Sequence, residues 1–583
     1  MCAINGIIYF DDYPRDILQK KLDIMLEITR HRGPDSSNKV LFKNAALGVN
    51  LLSIINPQKS SSIYSEENCK QYLIYNGEII NYRQIMKKFI NSDTIEYSDG
   101  SVILPLKMKL GTEFIHELFG MFAIAVYSPS ENRLQLWRDP LGIKPLYYYH
   151  SSKFIIFSSE IKAICAILDY PPEVDFGAID HILRIRFHPG RSTVFPEIMR
   201  VLPGETVIFT PRQSFRQFYW QLDSNEEAKN ISYNELVEEL RELIKKIISE
   251  YCYADVDGGY FVSGGLDSST VTTVGLQNFS SYKTPISIIF SPQSTEDETY
   301  GKKLENRLGV TFEWVTIKDK VALEALQEMI SYLDEPLENP IHIGTYLMAK
   351  RAKELGIKSV LTGDGADEFF LGYERHEVWF NHDLNNLQDR YLKWLWTLYP
   401  EQASNLYTNF AKNLLGPIVD SDGQIVKSFT NFIQALRFEQ RERLPEYHCM
   451  RLDRMTMAHG VEARVPFLDR RIVEYIQSIP VSIRFGKCGK ALLRDIVKPW
   501  LPNSIIKRQK THFPSLPHCW LSGDGANWAK EILLDPGAKT SKWFHSNLIE
   551  TWLADQQTGR VNYGRILWAL IVLELWLNQK WLS

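Results

Sequence analysis

Cys2 is the first residue of this 583-residue chain with an obvious chemical use. Thiolate is the reactive form of cysteine. Removal of Met1, which a small second side chain permits, would place a free α-amine beside the sulfur as a built-in base. Alone, a cysteine at position 2 is ordinarily accidental, and its company is what counts. In Tyr75-Asn76-Gly77-Glu78-Ile79 a side-chain amide adjoins a glycine N–H, and these two donors suit the oxyanion of a tetrahedral thioester intermediate. His31-Arg32-Gly33-Pro34-Asp35, Ser98-Asp99 and Arg138-Asp139-Pro140-Leu141-Gly142 belong to the same stretch.

A second constellation follows the short apolar run Tyr260-Phe261-Val262. Ser263-Gly264-Gly265-Leu266-Asp267-Ser268-Ser269 opens a helical pattern. Its glycines allow close backbone approach, and its N–H groups, hydroxyls and helix dipole all favour a polyphosphate. The chain has no Gly-x-x-x-x-Gly-Lys-Ser/Thr, so this is not a Walker loop. Asp267 would repel phosphate directly but suits a Mg²⁺ ligand. Leu361-Thr362-Gly363-Asp364-Gly365-Ala366-Asp367-Glu368 is a second acid-rich loop after another strand pattern. Loops at the carboxyl ends of parallel strands meet at one crevice, which would let Asp267 and Asp367 share a metal. Singly, each loop reads as a glycine turn with a capping aspartate; the pair argues for a nucleotide site.

The elements that must carry these residues change character along the chain. Up to residue 210, short apolar runs at 121–127 and 154–157 alternate with turns, and helical patterns fall near 16–29 and 101–110, predicting stacked sheets with helices outside. The last hairpin is expected near 202–209, and the polar, aperiodic stretch 222–230 reads as a linker. Thereafter helix patterns at 233–250, 268–277, 300–308 and 346–355 alternate with strand patterns at 260–262, 285–290, 312–317 and 359–361, predicting a parallel sheet covered on both faces. From residue 374 on the pattern is helical and rich in Trp and Tyr, which reads as core packing.

A net charge of −4 and a pI near 6.4 give no reason to expect nucleic acid. Seven scattered cysteines without a C-x-x-C pair read as reduced thiols of a cytoplasmic protein. No leader-like segment is read at the start. The apolar run 566–573 is far short of the roughly 20 residues a membrane span needs, so 565–582 is expected as a buried helix.

In that order, the N-terminal motifs resemble the class II glutamine amidotransferase domain, an N-terminal-nucleophile (Ntn) αββα sandwich, over about 2–210. The resemblance implies that Cys2 attacks the glutamine side-chain amide. Asn76 and Gly77 would hold the oxyanion, with Glu78 and Asp99 on the substrate α-amine. The family pattern has Arg-Leu-Ser-Ile where this chain has Leu51-Leu52-Ser53-Ile54, and that arginine grips the glutamine α-carboxylate. Arg32 and Lys59 are candidates to supply the missing cation. Ser101 stands where the family has Glu.

Residues 230–583 resemble the synthetase domain of glutamine-dependent asparagine synthetases, an adenine nucleotide α-hydrolase-like fold with a helical C-terminal part. Leu333-Asp334-Glu335-Pro336, Leu452-Asp453-Arg454-Met455, Met457-Ala458-His459, Glu462-Ala463-Arg464-Val465-Pro466-Phe467-Leu468-Asp469 and Lys490-Ala491-Leu492-Leu493-Arg494 extend the likeness. It implies ATP held by Val262, Ser263, Gly264, Gly265, Asp267, Ser268, Ser269, Ile288, Thr362 and Gly363. It also implies Mg²⁺ on Asp267 and Asp367, the acyl group near Asp364, and Lys490 stabilising charge during adenylation. Ammonia from glutamine, or free ammonia, would convert a small carboxylate such as aspartate to its amide, and a homodimer is compatible. Asp364 stands where the best-known members carry Glu, and Leu371 and His512 where the family usually has glycine. The other readings are a ring-closing relative of β-lactam synthetase or lasso-cyclase type with an idle glutaminase domain, and a non-catalytic nucleotide-binding relative.

Overall fold

The computed structural model describes residues 2–582 except 58–61, 67–69, 91–97, 171, 223–230, 279–280, 292–295, 382–390, 392–393, 424–428, 430, 487–488, 510–515 and 523, and leaves out the side chains of 378–381, 516 and 524. The expected linker, Lys59 and His512 lie largely or wholly outside the described residues.

Strict alternation builds the first half. In strand β6 (Gly120–Ser128), Phe122, Ile124 and Val126 enter one apolar cluster while Ala123, Ala125 and Tyr127 enter another. Successive side chains point to opposite faces, so a strand apolar on both must lie between two layers. Twelve strands build this half, the polar ones lying at sheet edges: β1 (Cys2–Tyr9), β2 (Ser36–Leu41), β3 (Ala45–Leu51), β4 (Tyr64–Glu66), β5 (Gln71–Ile79), β6, β7 (Arg133–Arg138), β8 (Tyr147–His150), β9 (Phe154–Ser158), β10 (Ile198–Arg200), β11 (Glu205–Phe209) and β12 (Ser214–Phe218). They form two six-stranded sheets, ordered β10-β8-β9-β1-β3-β2 and β12-β11-β7-β6-β5-β4. Ile4, Ile8, Leu47 and Val49 of the first pack against Ile74, Ala123, Ala125 and Leu134 of the second. Helix α1 (Arg15–Ile28) lays Leu18, Leu22, Met25 and Leu26 on the outside of the first sheet, and α2 (Ile103–Leu110) covers the second with Ile103, Leu104 and Leu106. The result is the expected αββα sandwich, its second sheet continuing past residue 210 through β12.

In the second half, α3 (Tyr233–Tyr251) starts on a capping box, Ser232 and Glu235 each satisfying the other's backbone N–H. A parallel sheet follows in the order β15 (Glu313–Ile317), β14 (Tyr282–Phe290), β13 (Gly258–Phe261), β16 (Ser359–Leu361), β17 (Glu462–Arg464). Helices α4 (Leu266–Asn278) and α5 (Ile341–Glu354) flank it. Strand β17 corrects the expectation that everything after 374 is helical. It is three residues long and two are charged, so no apolar run announces it. The Glu462 carboxylate and Arg464 guanidinium, 2.5 Å apart, neutralise each other inside the sheet. Helix α6 (Met450–Met457) precedes it, and the buried α7 (Gly564–Leu577) follows. Among the described residues no helix is long and apolar enough to cross a membrane.

Candidate active sites

Strand β1 places Cys2 directly opposite Leu51 of β3, and β5 carries Asn76, Gly77 and Glu78 on the facing sheet. The Cys2 N–H donates to Oδ1 of Asn76 at 3.0 Å. That bond settles which way the amide faces, because only the oxygen accepts, and it leaves the buried Asn76 Nδ2 with no partner. An orphaned buried donor is costly in a resting protein and useful where an oxyanion forms. At Gly77 a Cβ would sit 2.0 Å from the Met121 carbonyl oxygen, so glycine is obligatory there. Burial pushes the Cys2 thiol up, against the lowering pull of the N-terminal ammonium. Asp99 accepts from the Tyr75 hydroxyl and from the Ile79 N–H at 2.9 Å, and burial raises its pKa.

Around these groups lies a cavity of about 20 Å³ lined by Cys2, Leu51, Leu52, Ser53, Tyr64, Tyr75, Gly77, Glu78, Ser98 and Asp99 among others, with no Lys or Arg in its described wall. Arg32 does not supply the missing cation. Its fully buried guanidinium makes a bidentate pair with Asp453 at 2.7 and 3.0 Å and reaches Glu160 at 3.2 Å. Glu78 is also committed: Arg464 holds it at 3.1 Å, while burial pushes its pKa well above the ordinary carboxylate range.

The second site is a cleft of about 820 Å³ at the carboxyl ends of β13 and β16. Gly264 has φ +69° and a Cβ there would meet Gly301 N at 2.5 Å. A Cβ on Gly363 would come within 2.5 Å of Ser268 N, so the two loops touch only because glycine stands at the contact. Ser263, Gly265 and Ser268 ring the start of α4, with the Ser263 N–H donating to Ser268 Oγ at 3.1 Å. Ser269 is buried just behind them. Val262, Ile288 and Met348 give the cleft an apolar wall.

Lys490 Nζ lies 2.6 Å from Asp267 Oδ2 and 2.5 Å from Asp367 Oδ1, so both aspartates do meet at one point. Lys490 itself is left-handed (φ +52°), as is the buried Leu371 (φ +61°), and a Cβ on Gly372 would strike Asp367 Oδ1 and Lys490 Cε at 2.0 Å. Two non-glycine residues are thus held in this sparsely populated, strained region at the loop contact. At Leu371, where the family pattern has glycine, the side chain is retained by a small cluster with Leu436, Val481 and Phe485.

Three cleft residues were not identified from the sequence. Arg451 bonds Asp364 Oδ1 at 2.5 Å and Thr345 Oγ1 at 3.1 Å, so it faces the expected acyl position. Arg508 pairs with Asp297 at the phosphate-loop end. The signal for Arg451 was its place three residues before Arg454 on α6; Arg508 and Asp297 are 211 positions apart and offered none.

The two sites are joined by a buried, charged interface. Arg138 bonds Glu446 at 2.9 Å, Arg200 holds Glu335 at 2.5 Å, and Arg454 pairs with Glu160 at 3.0 Å and Asp334 at 2.5 Å. Such pairs add little net stability, yet breaking one strands a buried charge.

Residues 239–578 match the family described as asparagine synthase, and residues 1–220 match the glutamine amidotransferase domain. The chain is 26% identical to glutamine-hydrolyzing asparagine synthetase 1 of Bacillus subtilis, over 99% of this chain and 96% of that one. Against glutamine-hydrolyzing asparagine synthetase B of Escherichia coli identity is 26%, covering 88% and 82%. Against the putative glutamine-hydrolyzing asparagine synthetase 2 of Methanocaldococcus jannaschii it is 28%, covering 67% and 79%.

Proposed function

The chain belongs to the asparagine synthase family, and on that footing we propose that it activates a small carboxylate with ATP and amidates the acyl-adenylate with ammonia from glutamine or from solution. The observation that carries the reading is the junction of Asp267, Asp367 and Lys490 where two glycine loops touch. The residues fit a divalent cation: two largely buried carboxylates, from different loops, converge within reach of one point. Mg²⁺ held there would neutralise the leaving pyrophosphate. Ser263, Gly264, Gly265 and Ser268 would bind the phosphates through N–H and hydroxyl donors, and Thr362 and Gly363 would bracket the α-phosphate. Val262 and Ile288 would form an apolar bed for the base. Lys490 would release the aspartates and turn its ammonium to the negative charge developing as the carboxylate attacks. Arg451 and Asp364 would orient the acyl substrate.

At the other site, Cys2 would attack the glutamine amide carbon once Met1 is removed, its α-amine taking the thiol proton. Asn76 Nδ2 and the Gly77 N–H would receive the oxyanion, and the amine would return the proton to the departing ammonia. Asp99 would face the substrate α-amine, and Glu78 would line the pocket while paired with Arg464.

A second reading has an observation of its own. The Cys2 pocket has no cation among its described lining residues, and Leu51 stands opposite the nucleophile. This favours weak glutamine use, with free ammonia or an amine of the substrate itself as acceptor. Pyrophosphate release with ATP and candidate acids, in the presence of glutamine, ammonium or neither, separates the readings. Turnover with neither donor points to an intramolecular amine, and absence of turnover with every acid and donor removes the synthetase reading.

A further inference from the structure

The mechanism above uses the two sites separately, yet two short chains of buried contacts connect them. The first starts at the oxyanion strand. Glu78, next to Gly77, is held by Arg464 Nη2 at 3.1 Å. The same Arg464 accepts, at its main-chain oxygen, the N–H of Thr362 at 3.0 Å, and Thr362 opens the loop Thr362-Gly363-Asp364. The second starts at the nucleophile. Arg32 Nε donates to the Cys2 carbonyl oxygen at 3.4 Å, and its Nη atoms make the bidentate pair with Asp453 on α6. Two residues back on that helix, Arg451 bonds Asp364. Both chains therefore end on the same loop of the nucleotide cleft.

Every link is rigid for a stated reason. Arg464 is fully buried, and its remaining donors go to Glu462 and to the carbonyls of Tyr251 at 2.8 Å and Tyr253 at 2.6 Å. Arg32 is equally buried and shares Glu160 with Arg454. A buried guanidinium that loses one partner is left with an uncompensated charge, so such contacts shift together rather than singly. The loop they hold is also the one whose Gly363 leaves no room for a Cβ against Ser268. A nucleotide that spreads the two loops by a fraction of an ångström must move Thr362, and with it Arg464.

We propose that Arg464 is a positioning residue shared by both sites, transmitting nucleotide occupancy at the Thr362–Asp364 loop to Glu78 and Gly77 and so setting the reactivity of Cys2. The contact with Asp453 through Arg32 acts in parallel on the Cys2 backbone. The inference rests on the proposed assignment of the second cleft to ATP. Couplings between sites typically change an affinity about five-fold or more, and a similar change is expected in the alkylation rate.

The test is the rate at which iodoacetamide alkylates Cys2 in the full-length chain, followed by mass spectrometry of its N-terminal peptide, with and without saturating ATP and Mg²⁺. In the parent the rate should change about five-fold or more on adding ATP. In Arg464→Lys, which keeps the charge but cannot reach Glu78 and the tyrosine carbonyls together, the response should collapse to near unity while ATP still binds by equilibrium dialysis. An unchanged parent rate with ATP demonstrably bound, or a full response in Arg464→Lys, overturns the proposal. Absence of ATP binding in the parent overturns the nucleotide assignment instead. Should Arg464→Lys not fold, hydrogen exchange of the 71–79 amides in the parent decides the matter: altered exchange on adding ATP supports the link, and identical exchange overturns it.

Discussion

The N–H of Cys2 donates to Asn76 Oδ1 at 3.0 Å, and so leaves the amide nitrogen of Asn76 as an unpartnered buried donor. On the proposed mechanism, one hydrogen bond would both orient the backbone of the nucleophile and free a donor for the oxyanion.

Asn76→Ala should lower glutamine-driven turnover about 10²- to 10³-fold, the usual effect of deleting one oxyanion donor, and leave ammonium-driven turnover intact. Cys2→Ala should abolish the glutamine-driven rate with the same selectivity. Parallel rate measurements with the two nitrogen donors check both variants; equal losses with ammonium would show that the amidotransferase site is not separate.

Leu51 pairs with Cys2 across β1 and β3 and lines the pocket, so Leu51→Arg introduces a guanidinium beside the substrate without disturbing the strand register. Since Arg32 is committed to Asp453 and Glu160, no described cation competes for the role. We expect kcat/KM for glutamine to rise at least about ten-fold and the ammonium rate to stay constant, a charge-assisted bond to the α-carboxylate being the cause. Efficient glutamine use by the parent would show that a residue outside the described wall already serves.

Asp267→Asn and Asp367→Asn should each reduce pyrophosphate release by about 10² or more, by removing a metal ligand worth several kcal/mol to the transition state. Each variant keeps Lys490 paired with the remaining aspartate, so unfolding midpoints should stay close to the parent's. A variant that folds and releases pyrophosphate at the parental rate, with the parental Mg²⁺ dependence, excludes that carboxylate as a ligand.

Glu338 gives a pH signature. It is fully buried, accepts from Thr397 Oγ1 at 2.8 Å, and burial raises its pKa from 4.5 to about 7. The folded state then holds a proton that the unfolded chain has lost, so Glu338 makes stability fall as pH rises from about 4.5 to 7 and level off above. The span of 2.5 units corresponds to about 3 kcal/mol at most. Glu338→Gln keeps an acceptor for Thr397 and should reduce the difference between denaturant midpoints at pH 5 and pH 8; an unchanged difference would mean that Arg186, 3.7 Å away, already keeps the carboxylate charged.

Chemistry packed into a few consecutive residues was legible from the sequence. Asn76-Gly77 and Ser263 to Ser269 would act, on the proposed reading, through their own backbone and side chains, so their order along the chain is their geometry. The sheets were legible too, since β6 buries alternate residues on both faces and a period of two survives in the sequence. Tertiary structure alone decided which charges meet. Lys490 reaches Asp267 across 223 positions, Arg32 spends its guanidinium on Asp453 across 421, and Arg464 sits in a three-residue strand that no apolar pattern betrays. An ion pair depends on two chain segments arriving at one place, and nothing in the local spacing of either segment records the other. For that reason the sequence left Arg32 open as a partner for glutamine, and folding committed it to the junction between the two sites.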